Sequence, residues 1–409
     1  MISFNAYFKK PLISLLFSFS VSVSPSLADE LETLRNQFDR YVSLTVPMDF
    51  GNFWYAMEPV GKEASDKLKI YLSRLKRYEA QGSQCRRDLL ADMKYITQLA
   101  LDRIELTNKV AQNKGHYSGQ FAALGHGKDW YLHWLKSWLM SDISTDDLKA
   151  IAYNELRDAE IKRSRINALG LAENNKEFSG NDHAAILAAF KKRDRIVRQN
   201  LQEVIVKNFV PEQIKIVKSN LPKSFPAPGF YNGAMKQFTY HLSSDTLPEK
   251  HMDWLYLHEA NPGHHYQFSY FEEHPTCDLP SVVQSTVFAE GWGAYVETLG
   301  RELGLYTDSS SFEYALDWQE MRAVRVLLDI GIHFEGWSDE QARSVWMHYI
   351  PSQQDIMDRE IARIHNWPVQ VITYVYGKAM ILREIENLKQ SNPEYQFADI
   401  HTVVLGKLR

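Results

Sequence analysis

Apolar residues recur at three- and four-residue spacing along most of the chain. The pattern is clearest in 68–80 (LKIYLSRLKRYEA), 146–170 (DDLKAIAYNELRDAEIKRSRINALG), 181–209 and 314–336, and each reads as an amphipathic helix that buries one stripe. Punctuation agrees with this reading. Ser144-Thr145-Asp146-Asp147 supplies the hydroxyl and early carboxylates of a helix N-terminus, and Gly170 and Gly336 stand where helices stop. Period-two alternation is brief, at 236–242 (KQFTYHL), and predicts a short strand or hairpin at the edge of a cleft. Residues 220–235, NLPKSFPAPGFYNGAM, are rich in proline and glycine and read as a loop whose aromatic side chains pack. The pattern therefore predicts an all-α protein with at most a short β-hairpin. It divides into a helical part over 29–220 and a part over 221–409 that carries the chemistry, or forms one continuous helical domain over 29–409.

Residues 1–28 stand outside that pattern. Lys9 and Lys10 form a basic start, an apolar run from Pro11 to Val23 follows, and Ser26-Leu27-Ala28 offers small residues for cleavage, so the segment reads as a signal peptide. The apolar run falls short of the roughly 18 residues a membrane span needs, and no cysteine follows it, which argues against a lipoprotein. The expectation is an exported protein, periplasmic or secreted, without integral membrane association. Setting the leader aside leaves 44 basic and 51 acidic residues, a dispersed net of −7 that gives no footing for nucleic acid. Cys85 and Cys277 are the only cysteines, so an oxidising compartment allows one disulfide, with two buried thiols as the alternative.

Chemistry enters at 256–267, YLHEANPGHHYQ. On an unbroken helix His258 and His264 face different ways, and His258 and His265 stand about 10 Å apart along the axis, so neither pair could hold one ion. Pro262 changes the geometry. Its ring clashes with the carbonyl of His258 and it disfavours helical backbone at Asn261, so the helix should stop there, with Pro262 opening the next turn and Gly263 free to take an unusual angle. Such an interruption can return His264 to His258, with His265 as the alternative ligand. The segment FAEGWGAYVE supplies Glu290 as third ligand. Glu297, two turns on, is placed to orient a histidine through its other nitrogen. Two histidines and a glutamate leave a zinc ion a position for water, and Glu259 is then the general base.

The blocks HEANPGHHYQ, FAEGWGAYVE, MRAVRVLLDIGIH and RIHNWPVQVITYVYGK, with GKDWYLHWLKSWLMSDISTDDLKAIAYNELRDAEIKRSRI and the closing ADIHTVVLGKLR, resemble the bacterial family known as domain of unknown function eight-eight-five. Its members look like distant relatives of helical zinc peptidases such as thimet oligopeptidase and carboxypeptidase Taq. The resemblance implies a large, clefted, gluzincin-like helical fold (neurolysin or carboxypeptidase Taq-like), one zinc ion on His258, His264 and Glu290, and a base at Glu259. One departure stands out: WPVQ has Val369 where the family has glycine.

Further candidates follow from these helices. Arg322, Arg325, Asp329 and His333 recur along an apolar helix, either as an internal ion network or as groups that receive a substrate carboxylate (Arg322, Arg325) and polarise the scissile carbonyl (His333). In the related peptidases a tyrosine after the zinc helices stabilises the oxyanion, which points to Tyr374. Tyr231 and Asn232 are candidates for the cleft wall. The expected function is an exported zinc metallopeptidase acting on oligopeptides. A zinc hydrolase for another small amide or ester and an inactive peptide-binding protein are the alternatives, the last opposed by the intact Glu259.

Overall fold

The computed structural model describes residues 30–42, 61–79, 83–110, 119–275, 277–283 and 286–407. The expected signal peptide, 1–28, lies outside them. The described residues form two compact units, one of those up to 140 with 277–283, the other of 141–275 with 286–407. The boundary therefore falls at 140 rather than near 220. The helices of 146–170 and 181–209 belong with the chemistry-bearing half, because the stripes they bury face its core.

The first unit is helical: α1 (Glu30–Val42), α2 (Lys62–Arg77), α3 (Gln84–Val110) and α4 (Gly127–Leu139). Leu31, Leu34, Leu68, Leu75 and Met93 meet in its core with Tyr71, whose hydroxyl donates to the Leu34 carbonyl at 2.7 Å. The segment 277–283 is fastened to this unit three ways. Cys277 is disulfide-bonded to Cys85, with Cα atoms 5.7 Å apart. Arg86 holds the Asp278 carboxylate at 2.6 Å, and Arg35 donates to the carbonyls of Pro280 and Ser281 at 2.8 and 3.3 Å.

The second unit opens with α5 (Thr145–Ile166), where the Ser144 hydroxyl accepts the Asp147 N–H at 3.1 Å, as its serine-rich start predicts. After α6 (His183–Val204) come short strands. β1 (Glu177–Ser179) pairs antiparallel with β5 (Thr246–Pro248), while β2 (Lys215–Lys218), β3 (Gly229–Asn232) and β4 (Gln237–Tyr240) form a sheet ordered β2-β4-β3. The single expected hairpin is thus two small sheets. β3 lies in the stretch read as loop: three prolines precede it, and only its four residues pair, antiparallel with β4.

The remaining helices are α7 (Lys250–Glu259), α8 (His264–Glu273), α9 (Thr286–Val296), α10 (Ser309–Ile330), α11 (Asp339–Tyr349), α12 (Met357–Asn366), α13 (Ile372–Ser391) and α14 (Phe397–Lys407). α10 runs into a π-helical turn, Gly331–Glu335, and Gly336 ends it at φ 80°, the left-handed stop its position predicts. α9 and α13 cross backbone to backbone: a Cβ on Gly291 would lie 2.4 Å from the Gly377 carbonyl carbon. No described helix is long and apolar enough to cross a membrane. The architecture is mostly α, as the periodicity predicts.

Candidate metal centre

The segment that interrupts α7 and α8 is built for close approach. α7 ends at Glu259, the Asn261–Pro262 bond is cis, and α8 starts at His264 with Gly263 before it. The next helix therefore opens two residues later than Pro262. A Cβ on Gly263 would lie 1.9 Å from the His258 carbonyl oxygen, so only glycine lets the chain fold back over the last turn of α7. The fold-back is pinned at both sides. Asn261 Nδ2 donates to Asp194 at 3.3 Å and to the Tyr256 hydroxyl at 3.1 Å, and Trp292 Nε1 of α9 donates to the Pro262 carbonyl at 2.7 Å.

The result brings two imidazoles to one carboxylate. The rings of His258 and His264 stand 4.7 Å apart, centre to centre, and their Nε2 atoms lie 3.4 and 3.6 Å from Glu290 Oε2. Each of the three residues contributes a ligand atom to a set lying within 4.8 Å of one another. Glu290 Oε2 is buried and accepts no hydrogen bond, although both nitrogens face it. A donor set of this kind can hold a cation, and two imidazoles with a carboxylate suit zinc.

Behind the first imidazole runs a fixed relay. His258 Nδ1 donates to Glu297 Oε1 at 2.7 Å, which turns Nε2 toward Glu290, and Arg322 Nη1 holds Glu297 Oε2 at 2.6 Å. Arg322 is itself sandwiched by aromatic faces, 5.6 Å from Trp254 and from Trp318 and 4.9 Å from Tyr374. Trp254 and Trp318 stack at 4.0 Å, and Trp254, one turn before His258, lies against its ring. Gly293 closes the other side: a Cβ there would lie 2.5 Å from His258 Cε1.

The charges respond to this crowding. Burial alone would keep His258 neutral, but the Glu290 and Glu297 carboxylates outweigh it and hold its pKa up at about 10. Burial likewise opposes ionisation of Glu297, yet Arg322 and His258 hold it down at about 2. Against its own burial, the two imidazoles hold Glu290 well below the ordinary carboxylate range. Glu259 goes the other way: burial lifts it above the usual range, despite His258 and His264 nearby and a hydrogen bond from the Tyr231 backbone. A carboxylate raised toward neutrality beside a ligand set is suited to take and return a proton.

Other sequence candidates lie elsewhere. His265 is fully buried with both nitrogens engaged, Nδ1 accepting from the Tyr231 hydroxyl at 3.2 Å and Nε2 donating to the Glu212 carbonyl at 2.9 Å, so it is not the alternative ligand. Tyr231 stacks on Phe268, which packs against His264, so it borders the cluster. Asn232 accepts the Met235 N–H and caps a turn. Arg325 is tied to Glu360 at 2.5 Å and is closed to a substrate. His333 is fully buried and neutral, burial pushing its pKa down to about 3, and its Nε2 donates to the Ile364 carbonyl at 3.0 Å; it fastens the end of α10 to α12 and does not polarise a carbonyl. Tyr374 lies beside His258, rings 6.2 Å apart, with its hydroxyl receiving Gln370 Nε2 at 3.4 Å. Trp254, Trp318 and Gly293 escaped the sequence reading; the only signal was the helical spacing of Trp254 to His258.

A family model of bacterial proteins of unknown function (DUF885) matches residues 60–407. The chain belongs to this family. Among solved structures, it is similar to a "putative lipoprotein" of Colwellia psychrerythraea, with TM-score 0.60 and 19% identity over 91% of this chain and 66% of that one. It is also similar to a "putative lipoprotein of unknown function" of Shewanella oneidensis, with TM-score 0.53 and 16% identity over 94% of this chain and 79% of that one. At these identities the likeness is one of fold, and the chain spans just under two thirds of the first neighbour's length. No curated protein matches the chain. The disulfide is the chemistry of an oxidising, extracytoplasmic compartment.

Proposed function

We propose that this member of the family is a zinc-dependent metallopeptidase that hydrolyses oligopeptides outside the cytoplasm, in the periplasm or secreted, after export on residues 1–28. The observation that carries the reading is the buried Glu290 oxygen left without a hydrogen bond between two imidazole nitrogens. His258, His264 and Glu290 would hold the ion, which supplies Lewis acidity toward a carbonyl and a water. Glu259 takes the proton of the attacking water and delivers it to the leaving amine, a role matched by a pKa that burial has lifted. Glu297, clamped by Arg322, keeps the Nδ1 proton of His258 in place and so fixes the tautomer and ring angle. Tyr374, beside His258 and positioned by Gln370, donates its hydroxyl to the developing oxyanion.

The test is mass-spectrometric profiling of a mixed peptide library against the purified protein, with and without a zinc chelator, alongside Glu259→Gln. Cleavage that the chelator stops, and that Glu259→Gln loses while still binding zinc stoichiometrically, is the expected result. Zinc-loaded protein that cuts no peptide would overturn the reading and favour a different amide or ester, or a binding role.

A further inference from the structure

The two histidines of the metal centre are not supported alike. His258 Nδ1 is bonded to Glu297 at 2.7 Å, whereas His264 Nδ1 is buried and makes no hydrogen bond among the described residues. Three residues further along α8 stands Gln267, 1% exposed, with neither its amide oxygen nor its amide nitrogen bonded. The other buried side-chain amides among the described residues are engaged. Asn261 donates to Asp194 and Tyr256, and Gln319 donates to the Glu155 carbonyl and to Asp158. Gln267 thus stands apart: taking an amide out of water without giving it a partner costs free energy, and a methionine of the same length would fill the space without that cost.

Helix geometry places this amide beside the histidine. His264, Gln267 and Phe271 occupy positions i, i+3 and i+7 of α8 and share one face. That face is turned to α9, since His264 Nε2 lies 3.6 Å from Glu290 and the Phe271 ring lies 6.2 Å from that of Phe288. The Cβ atoms of residues three apart on a helix are about 5–6 Å from each other, and long side chains lean toward the N-terminus, here toward His264. Nε2 is the outer nitrogen, at Glu290, so Nδ1 is the one nearer the backbone of α8. Rotation about the Gln267 side-chain bonds brings Oε1 within hydrogen-bond reach of it.

An imidazole that ligates through Nε2 carries its proton on Nδ1, and that proton needs an acceptor. We propose that in the metal-loaded protein Gln267 Oε1 accepts the Nδ1 proton of His264, fixing the tautomer and ring plane of the second ligand as Glu297 does for the first. Gln267 is a positioning residue. It acts through His264 and brings no charge, whereas the charge of Glu297 is answered by Arg322. The inference rests on the metal-binding part of the reading above and not on the bond that is cut.

The experiment uses the full-length protein, Gln267→Met and Gln267→Glu. It measures zinc affinity by competition with a chromophoric chelator, urea unfolding of the metal-free protein, and imidazole N–H resonances of the zinc-loaded, 15N-histidine-labelled protein. Gln267→Met should bind zinc about 10–100-fold more weakly, yet unfold at the same or a higher urea concentration when metal-free, because an unpaired buried amide has gone. Gln267→Glu keeps an acceptor oxygen and should recover affinity. The zinc-loaded parent should show one slowly exchanging imidazole N–H that Gln267→Met lacks. Unchanged zinc affinity in Gln267→Met, or Gln267→Glu binding no better than Gln267→Met, overturns the inference and leaves the metal centre standing. A metal-free Gln267→Met that unfolds more easily or fails to fold shows that the amide serves the fold, which also overturns it. A parent that binds no zinc sinks the metal centre and the inference together.

Discussion

Removing the Glu297 carboxylate should damage the protein twice, in stability and at the ligand set. The side chain is 5% exposed and bonds His258 Nδ1 at 2.7 Å and Arg322 Nη1 at 2.6 Å. In Glu297→Ala the Arg322 guanidinium stays buried without its carboxylate, and breaking such a pair costs about 3–5 kcal/mol. The faces of Trp254, Trp318 and Tyr374 still attract the cation, which places the expected loss toward the lower end, about 3 kcal/mol. His258 also loses the acceptor that fixes its ring, which should weaken zinc binding by about 10–100-fold. Glu297→Gln keeps the shape but not the charge and should fall between parent and alanine on both counts. Adding Arg322→Met to Glu297→Ala should recover stability but not zinc affinity, because the stranded charge goes while the imidazole stays unoriented. Urea unfolding of the metal-free protein and competition with a chromophoric chelator measure the two effects separately. An alanine variant that unfolds within about 0.5 kcal/mol of the parent and holds zinc as tightly would refute the argument.

Acid should destabilise the protein through its buried histidines. His333 and His401 are fully buried, and burial depresses their pKa to about 3 and about 4. The unfolded chain binds those protons near the ordinary 6.5 and the native state does not, so stability falls as pH drops below 6.5, by about 2 kcal/mol per histidine between pH 7 and 5. Urea titrations should show the slope and His333→Gln should reduce it; a slope unmoved by that change would discount the buried histidine. Gly293→Ala should tilt the His258 ring, since the added Cβ would lie 2.5 Å from Cε1, and lower zinc affinity about tenfold or more with the helix content kept; unchanged affinity would show that the ring has room. Reducing the Cys85–Cys277 bond, which closes a span of 192 residues, should cost the first unit about 3–5 kcal/mol and shift its unfolding transition alone, as scanning calorimetry with and without reductant would reveal. A single unshifted transition would count against that role.

Helical periodicity located the elements because burying one stripe of a helix is a local property of sequence. Partners are not local. The stripe Arg322, Arg325, Asp329 and His333 reads correctly as one buried face, but its members bond outward to Glu297, Glu360, the Val369 amide and the Ile364 carbonyl, none of which spacing along α10 can name. His258 and His264 were legible because Pro262 and Gly263 dictate a break between them. His265 was a rival only in one dimension, since a neighbouring residue on a helix points about 100° away, here toward Tyr231 and Glu212. β3 was hidden because its short pairing comes from β4 and not from its own alternation. Val369 shows how a departure from a family pattern can be absorbed. It takes φ 73°, the angle a glycine would take freely, and its N–H is held by Asp329.

The pairing of Cys85 with Cys277 also bears on how the chain matures. With two cysteines in all, no wrong pairing within one molecule exists, so oxidation has a single intramolecular product and needs an oxidant but no isomerase. The errors left open are between molecules. Cys85 precedes its partner by 192 residues and is made first, so for that interval its thiol can be captured by another chain or a small thiol. Misfolded material should therefore collect as disulfide-linked dimers and mixed disulfides rather than as scrambled monomers, a distinction that a non-reducing gel makes directly.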